Sequence, residues 1–145
     1  MKIDLPRFNL KDVPVNQETV LNFPRGLVGF EDKQRFSIFH EEGKPTVFWL
    51  QSLDDPQLSF SIVPPDAIDV AYEIELSDEE NQLLQLARPE DALVVVILYR
   101  EAAGEDGKNR ISASTRSPLV INMARRIGMQ KILRDVHPTV VVHGR

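Results

Sequence analysis

The chain is cut into short runs rich in β-branched and aromatic residues, and almost every run is closed by proline, glycine or aspartate. Ten prolines and seven glycines in 145 residues leave few apolar stretches that hold a helical spacing for long. Strands are expected over residues 19–23, 35–39, 47–53, 58–63, 72–76, 93–99, 110–114, 119–122, 129–133 and 139–142. Phe36 and Ile38 flank Ser37, and Phe60 and Ile62 alternate with Ser59 and Ser61, the period of two of a half-buried strand. Many short strands at near-regular spacing predict an all-β chain, a small β-barrel-like single domain over residues 1–145 with one or two short helices. A chain of this length can bury roughly two-thirds of its unfolded surface, so it needs neither metal nor disulfide to fold.

Two places read as helix. Ser77-Asp78-Glu79-Glu80 is a capping box, in which the Ser77 and Glu80 side chains satisfy each other's free N–H groups. Leu83, Leu84 and Leu86 would then face the core, and the helix should stop before Pro89. A shorter helical turn is expected near Glu31-Asp32-Lys33-Gln34, and residues 100–110 have the polarity of an exposed hairpin loop.

Several classes are disfavoured. Without cysteine there is no disulfide scaffold, thiolate zinc site or Cys nucleophile, which suits a reducing cytoplasm. The first residues lack the apolar core of a signal peptide, and the longest apolar run, residues 92–99, is too short to cross a bilayer. A cytoplasmic protein without membrane contact is therefore expected. The formal charge of −5 opposes nucleic acid at long range and favours partners with cationic faces.

The catalytic inventory is thin, and no cofactor or metal is expected. His40, His137 and His143 are scattered without ligand spacing. Gly26-Leu27-Val28-Gly29 lacks the phosphate-loop patterns and reads as a tight turn between Phe23 and Phe30. Asp54-Asp55 could be offered as a carboxylate pair, yet adjacent strand residues point to opposite faces, and Asp-Asp-Pro is good turn chemistry. Arg125, Arg126, Lys131 and Arg134 form the best basic cluster, readable as a phosphate grip or, more simply, as a charge-protected edge. Trp49 lies in a run apolar on both faces, so it is either core or an interface anchor.

The residues also carry a family pattern. Phe23-Pro24-Arg25-Gly26-Leu27-Val28-Gly29-Phe30-Glu31 resembles the F-P-x-G-L-x-G-F-E motif of the flagellar assembly factor FliW family. Trp49-Leu50-Gln51-Ser52-Leu53-Asp54-Asp55-Pro56 is similar to its W-L-Q-S-x-D-D-P segment, and Phe60 to Pro65 to the strand end that follows. Tyr72 to Glu79, Ser117 to Asn122, and Arg126-Ile127-Gly128-Met129-Gln130 resemble later elements, all in order over roughly residues 18–134. Two features depart from the pattern: Met123 stands where a proline is usual, and the tail after Arg134 is unlike the family's.

The resemblance implies a small barrel without catalysis whose role is partner switching. Such a protein holds the CsrA-type translational repressor, so that flagellin mRNA is released, and alternatively binds flagellin, with no direct contact to nucleic acid. The chain alone is expected to be a monomer. The candidate partner-binding residues are Phe23, Pro24, Gly26, Leu27, Gly29 and Phe30, then Trp49, Gln51, Asp54 and Asp55. The alternative is a small barrel that acts on RNA directly through the basic cluster.

Overall fold

The computed structural model describes residues 2–6, 9–41, 44–101, 110–133 and 139–140. His137, His143, Arg134, residues 141–142 and most of the expected loop at 100–110 lie outside the described residues. The strands are β1 (Lys2–Leu5), β2 (Leu10–Pro14), β3 (Leu21–Asn22), β4 (Arg35–Glu41), β5 (Lys44–Ser52), β6 (Ser59–Val63), β7 (Val70–Ala71), β8 (Ala92–Glu101), β9 (Arg110–Ala113), β10 (Leu119–Asn122), β11 (Ile127–Gln130) and β12 (Thr139–Val140), with one α-helix among the described residues, α1 (Asp78–Leu84).

Seven strands close into a ring in the order β3-β4-β5-β6-β8-β10-β11. β11 returns to β3 through a parallel pairing of Ile127 with Asn22, supported by the Asn22 N–H donating to the Arg126 carbonyl at 2.8 Å. β8 serves three neighbours. Its first residues pair with β10, its middle with β6, and its end with β9, which lies outside the ring.

Alternation decides what fills the barrel. Phe36 and Ile38 of β4, Phe48 and Leu50 of β5, Phe60 and Ile62 of β6, Val95 and Ile97 of β8, and Leu119 and Ile121 of β10 all join one core cluster. Each fully buried member contributes about 1.5–3 kcal/mol relative to leaving it exposed, and the half-buried Ile38, Phe48 and Phe60 contribute less. The opposite face of the strands is covered in two places. The β1–β2 hairpin, absent from the sequence-based expectation, lays Ile3 and Leu5 with Val15 and Val20 over Leu53 and Phe39. On another side, Leu84 of α1 packs on Val120 of β10 and Met129 of β11. β10 is consequently buried on both faces.

Other expectations are corrected. Only residues 21–22 of the expected 19–23 strand pair; Gln17–Thr19 form a 3-10 turn capped by the Asn16 side chain, which accepts from the Glu18 N–H at 2.9 Å. Residues 72–76 join no ladder, although their alternation is real: Tyr72, Ile74 and Leu76 are half-buried, and Ile74 and Leu76 pack on the α1 cluster. The last expected strand before the tail starts earlier, at Ile127, and its ladder ends at Gln130. Residues 31–34 form a non-helical turn.

The capping box of α1 is present, with the Glu80 N–H donating to Ser77 Oγ at 3.1 Å and the Ser77 N–H to Glu80 Oε1 at 2.8 Å. The helix stops at Leu84, well before Pro89, because a side chain from β10 terminates it. Asn122 Nδ2 donates to the carbonyls of Leu84 at 2.8 Å and Gln85 at 3.2 Å, while Gln85 turns left-handed at φ 54°.

Candidate functional site

The turn over residues 23–31 plugs one end of the barrel. Phe23 is fully buried and meets Phe36 edge-on at 5.3 Å between ring centroids; Phe30 meets Phe60 in the same way at 5.5 Å. The Phe30 N–H donates to the Leu27 carbonyl at 2.7 Å, and Gly29 at the third position has φ +85°, the value a type II turn requires there. Gly26 is needed twice over: its φ is +65°, and a Cβ would lie 2.5 Å from the Glu31 Cα. Leu27 is buried, whereas Pro24, Val28 and Gly29 are exposed.

A later motif holds this turn in place. A Cβ at Gly128 would lie 2.5 Å from Cζ of Phe23, so the glycine is the space into which the ring fits. Two residues on, Gln130 Oε1 accepts from the Val28 N–H at 2.8 Å, and its Nε2 donates to the Ser117 carbonyl at 3.2 Å. Sequence reasoning assigned Gln130 no role, although it sits in the Arg126–Gln130 motif.

Gln51 and the Asp54-Asp55 pair serve the β5–β6 connection. Gln51 is buried, and its Nε2 donates to the carbonyls of Ser52, Pro56 and Leu58 at 2.9, 3.1 and 3.1 Å. Ser52 Oγ accepts from the Asp54 and Asp55 N–H groups at 3.1 and 2.9 Å, and Asp55 Oδ1 accepts from the Gln57 N–H at 3.0 Å. Asp54 reaches back to β4. Its Oδ2 accepts from the Gln34 and Arg35 amides, and its Oδ1 from the Arg35 guanidinium, all at 3.0 Å. Burial pushes this carboxyl up, but the Arg35 and Gln34 amides and then the guanidinium outweigh it and hold Asp54 below the usual carboxylate range. A carboxylate held by these donors closes a turn and is poorly placed to shuttle protons.

The described members of the basic cluster are dispersed. Arg125 and Arg126 stand on the β10–β11 turn, and Arg126 Nη1 donates to the Gln17 carbonyl at 3.0 Å. Lys131 lies beyond the other end of β11 and forms an ion pair with Glu80 of α1 at 2.6 Å. Burial raises the Glu80 carboxyl, and the Lys131 ammonium together with the Ser77 amide brings it below its ordinary value. His40 is exposed on β4, 6.4 Å from the Phe48 ring, and no three potential metal ligands converge among the described residues.

What remains is surface. Trp49 of β5 lies on the outer face, in register with Ser61 of β6, which pairs with Leu98 of β8, which pairs with Ala113 of β9. Neither the β1–β2 hairpin nor α1 contributes to the groove of about 670 Å³ alongside this row, which Val28, Trp49, Phe60, Tyr99 and Ile111 help to line. Val28, Tyr99 and Ile111 are among the most exposed large apolar side chains described. The sequence reading passed over all three. Of the candidate residues, Trp49 borders the groove directly; Phe23, Gly26, Leu27, Gln51 and Asp54 hold the barrel end behind it.

Fold and groove together define a small β-barrel protein with an open external cleft in which apolar side chains stand among serines, Gln130 and Arg100. The chain belongs to the FliW family, whose model, described as "FliW protein", matches residues 7–142. It is 42% identical over 147 residues to the flagellar assembly factor FliW of Azoarcus sp. (strain BH72), covering 100% of this chain and 99% of that protein. The corresponding factor of Chromobacterium violaceum is 41% identical over 128 residues, with 84% of this chain and 87% of the relative covered. A crystal structure of the flagellar assembly factor FliW superposes with a TM-score of 0.78 at 26% identity, covering 97% of this chain and 94% of that one. No helix among the described residues is long and apolar enough to cross a membrane.

Proposed function

We propose that this chain is a flagellar assembly factor that acts as a single cytoplasmic domain, by binding other proteins and without catalysis. Its partners are a CsrA-type translational repressor, whose hold on flagellin mRNA it relieves, and flagellin itself, which takes up the factor when it accumulates. The observation that carries this reading is family membership over residues 7–142, with relatives named flagellar assembly factors. The groove beside Trp49 supports it, since the exposed aromatic and aliphatic side chains gathered there favour protein contact. The net charge of −5 suits a basic RNA-binding partner. Switching requires only that two ligands share one protein with different affinities, and that the repressor differ between its bound and free states.

Calorimetry with the cognate flagellin and the cognate repressor tests the proposal. Each should bind at micromolar concentration or tighter, and failure of both removes it. A gel shift with flagellin leader RNA discriminates the direct RNA-binding alternative. The factor alone should leave the RNA unshifted, and salt-sensitive binding by the factor alone would favour that alternative.

A further inference from the structure

β9 ends the sheet: among the described residues it pairs with β8 and with no other strand. The hydrogen-bond phase of this pair is fixed by the Ser114 N–H donating to the Ile97 carbonyl at 2.8 Å. In an antiparallel ladder, hydrogen-bonded and non-hydrogen-bonded pairs alternate. Ser112 opposite Tyr99 is therefore turned towards β8. Ile111 opposite Arg100 and Ala113 opposite Leu98 direct their backbone groups outward. The Ala113 carbonyl is taken by the Thr115 N–H at 2.9 Å. The Ile111 N–H, the Ile111 carbonyl and the Ala113 N–H remain on the outer edge.

Among the side chains described around that edge, none covers its centre. Edges are ordinarily protected by proline, by charge or by a covering segment, yet Ile111 at its centre is 70% exposed. By strand alternation Ile111 shares the outer face with Leu98 and Trp49. Arg100 is the single charged residue among those described as lining the groove.

We infer that the outer edge of β9 is a strand-addition site for an extended segment of a protein partner, apolar at the position facing Ile111 and acidic beside Arg100. Backbone donors and acceptors in alternation select an extended segment over a helix, whose own backbone is already satisfied. A guanidinium beside the cleft, with no carboxylate paired to it among the described residues, selects a carboxylate. This assignment rests on the proposed function, because it supposes a protein partner, and it names where and how that partner is gripped.

Amide hydrogen exchange tests it, on the free protein and then with saturating cognate flagellin or cognate repressor. In the free protein the Ile111 and Ala113 amides should exchange at least about tenfold faster than that of Ser112. Slow exchange there would mean the edge is already closed and would overturn the inference, whatever the partner does. On binding, the same two amides should slow at least about tenfold with one of the two proteins. If both amides stay fast with every one of the two proteins that binds, the assignment is overturned. If neither protein binds, the proposed function falls, and the occupant assigned here falls with it; the exchange in the free protein tells the two failures apart.

Two variants complete the test. Ile111→Pro removes an outward N–H while sparing the bonds to β8, and should weaken the protecting partner about five- to tenfold, as expected for one backbone hydrogen bond. Should that variant melt early, Arg100→Glu, which leaves the backbone intact, should weaken the same partner in a salt-dependent way. Unchanged affinity in a folded variant contradicts the site.

Discussion

Replacing Gly128 with alanine tests how the two ends of the chain are fitted together. The new methyl carbon would lie 2.5, 2.7 and 2.9 Å from Cζ, Cε2 and Cε1 of Phe23, all well inside contact distance. Neither partner can easily yield. The ring is fully buried against Phe36, and the β11 backbone is pinned by its pairing with Asn22 and by the Asn22 N–H to Arg126 carbonyl bond of 2.8 Å. Overpacking of a well-filled core costs about 1–3 kcal/mol, and at this chain length each kcal/mol lowers Tm by about 2–4 °C. A Tm lower by about 2–12 °C is expected in circular dichroism melts, with a matching loss in urea. The decisive comparison uses Phe23→Leu, which shortens the ring to a side chain that leaves room for the methyl. In that background Gly128→Ala should cost less than about 1 kcal/mol, a coupling that contacting residues show and distant ones do not. Costs that add within about 0.5 kcal/mol, or a neutral single variant, would refute the packing argument.

Trp49→Ala should lower stability by about 1–2 kcal/mol, because the side chain is only half-buried and a fully buried aromatic would cost about 3–5; partner affinity in calorimetry should fall in the same variant. Asp54 and Glu80 are both held below their ordinary values, so each contributes stability that is complete above the normal carboxylate range and is lost as pH falls through its lowered folded value. Asp54→Asn should remove its share and flatten the acid limb of a Tm-against-pH curve. Lys131→Met leaves Glu80, whose side chain is 11% exposed, without its cation. That should cost about 1–3 kcal/mol in urea unfolding at neutral pH, and the Lys131→Met, Glu80→Gln double variant should recover part of the loss.

The barrel wall was legible where local pattern and tertiary partner agree. β4 and β6 carry their alternation openly, β8 and β10 are short apolar runs closed by polar residues, and each finds its neighbour across a ladder close to the expected limits. Elsewhere the deciding contact comes from far along the chain. The end of α1 is set by Asn122, 38 residues beyond Leu84. Ile74 and Leu76 alternate like a strand, but their period is satisfied by packing on Leu84, Val120 and Met129. The β1–β2 hairpin was hidden by Pro6 and by left-handed Asn9 and Asp12, which break up a pattern only a few residues long. At the site, the motif over residues 23–31 was visible as a unit, yet its division into buried Phe23 and Leu27 and exposed Val28 was not. That division depends on Gly128 and Gln130, and spacing within one motif carries no information about another.

The seam between β3 and β11 has a bearing on how the molecule is made. Val28 and Gln130, which hold the plug to the wall, are 102 residues apart. While the chain is being synthesised, the sheet from β4 to β6 can zip locally, but Phe23 has no berth until Gly128 has left the ribosome. Seating the plug and setting Val28 beside the cleft thus wait for the C-terminal part of the chain, so an unfinished chain displays a half-built wall and no completed groove.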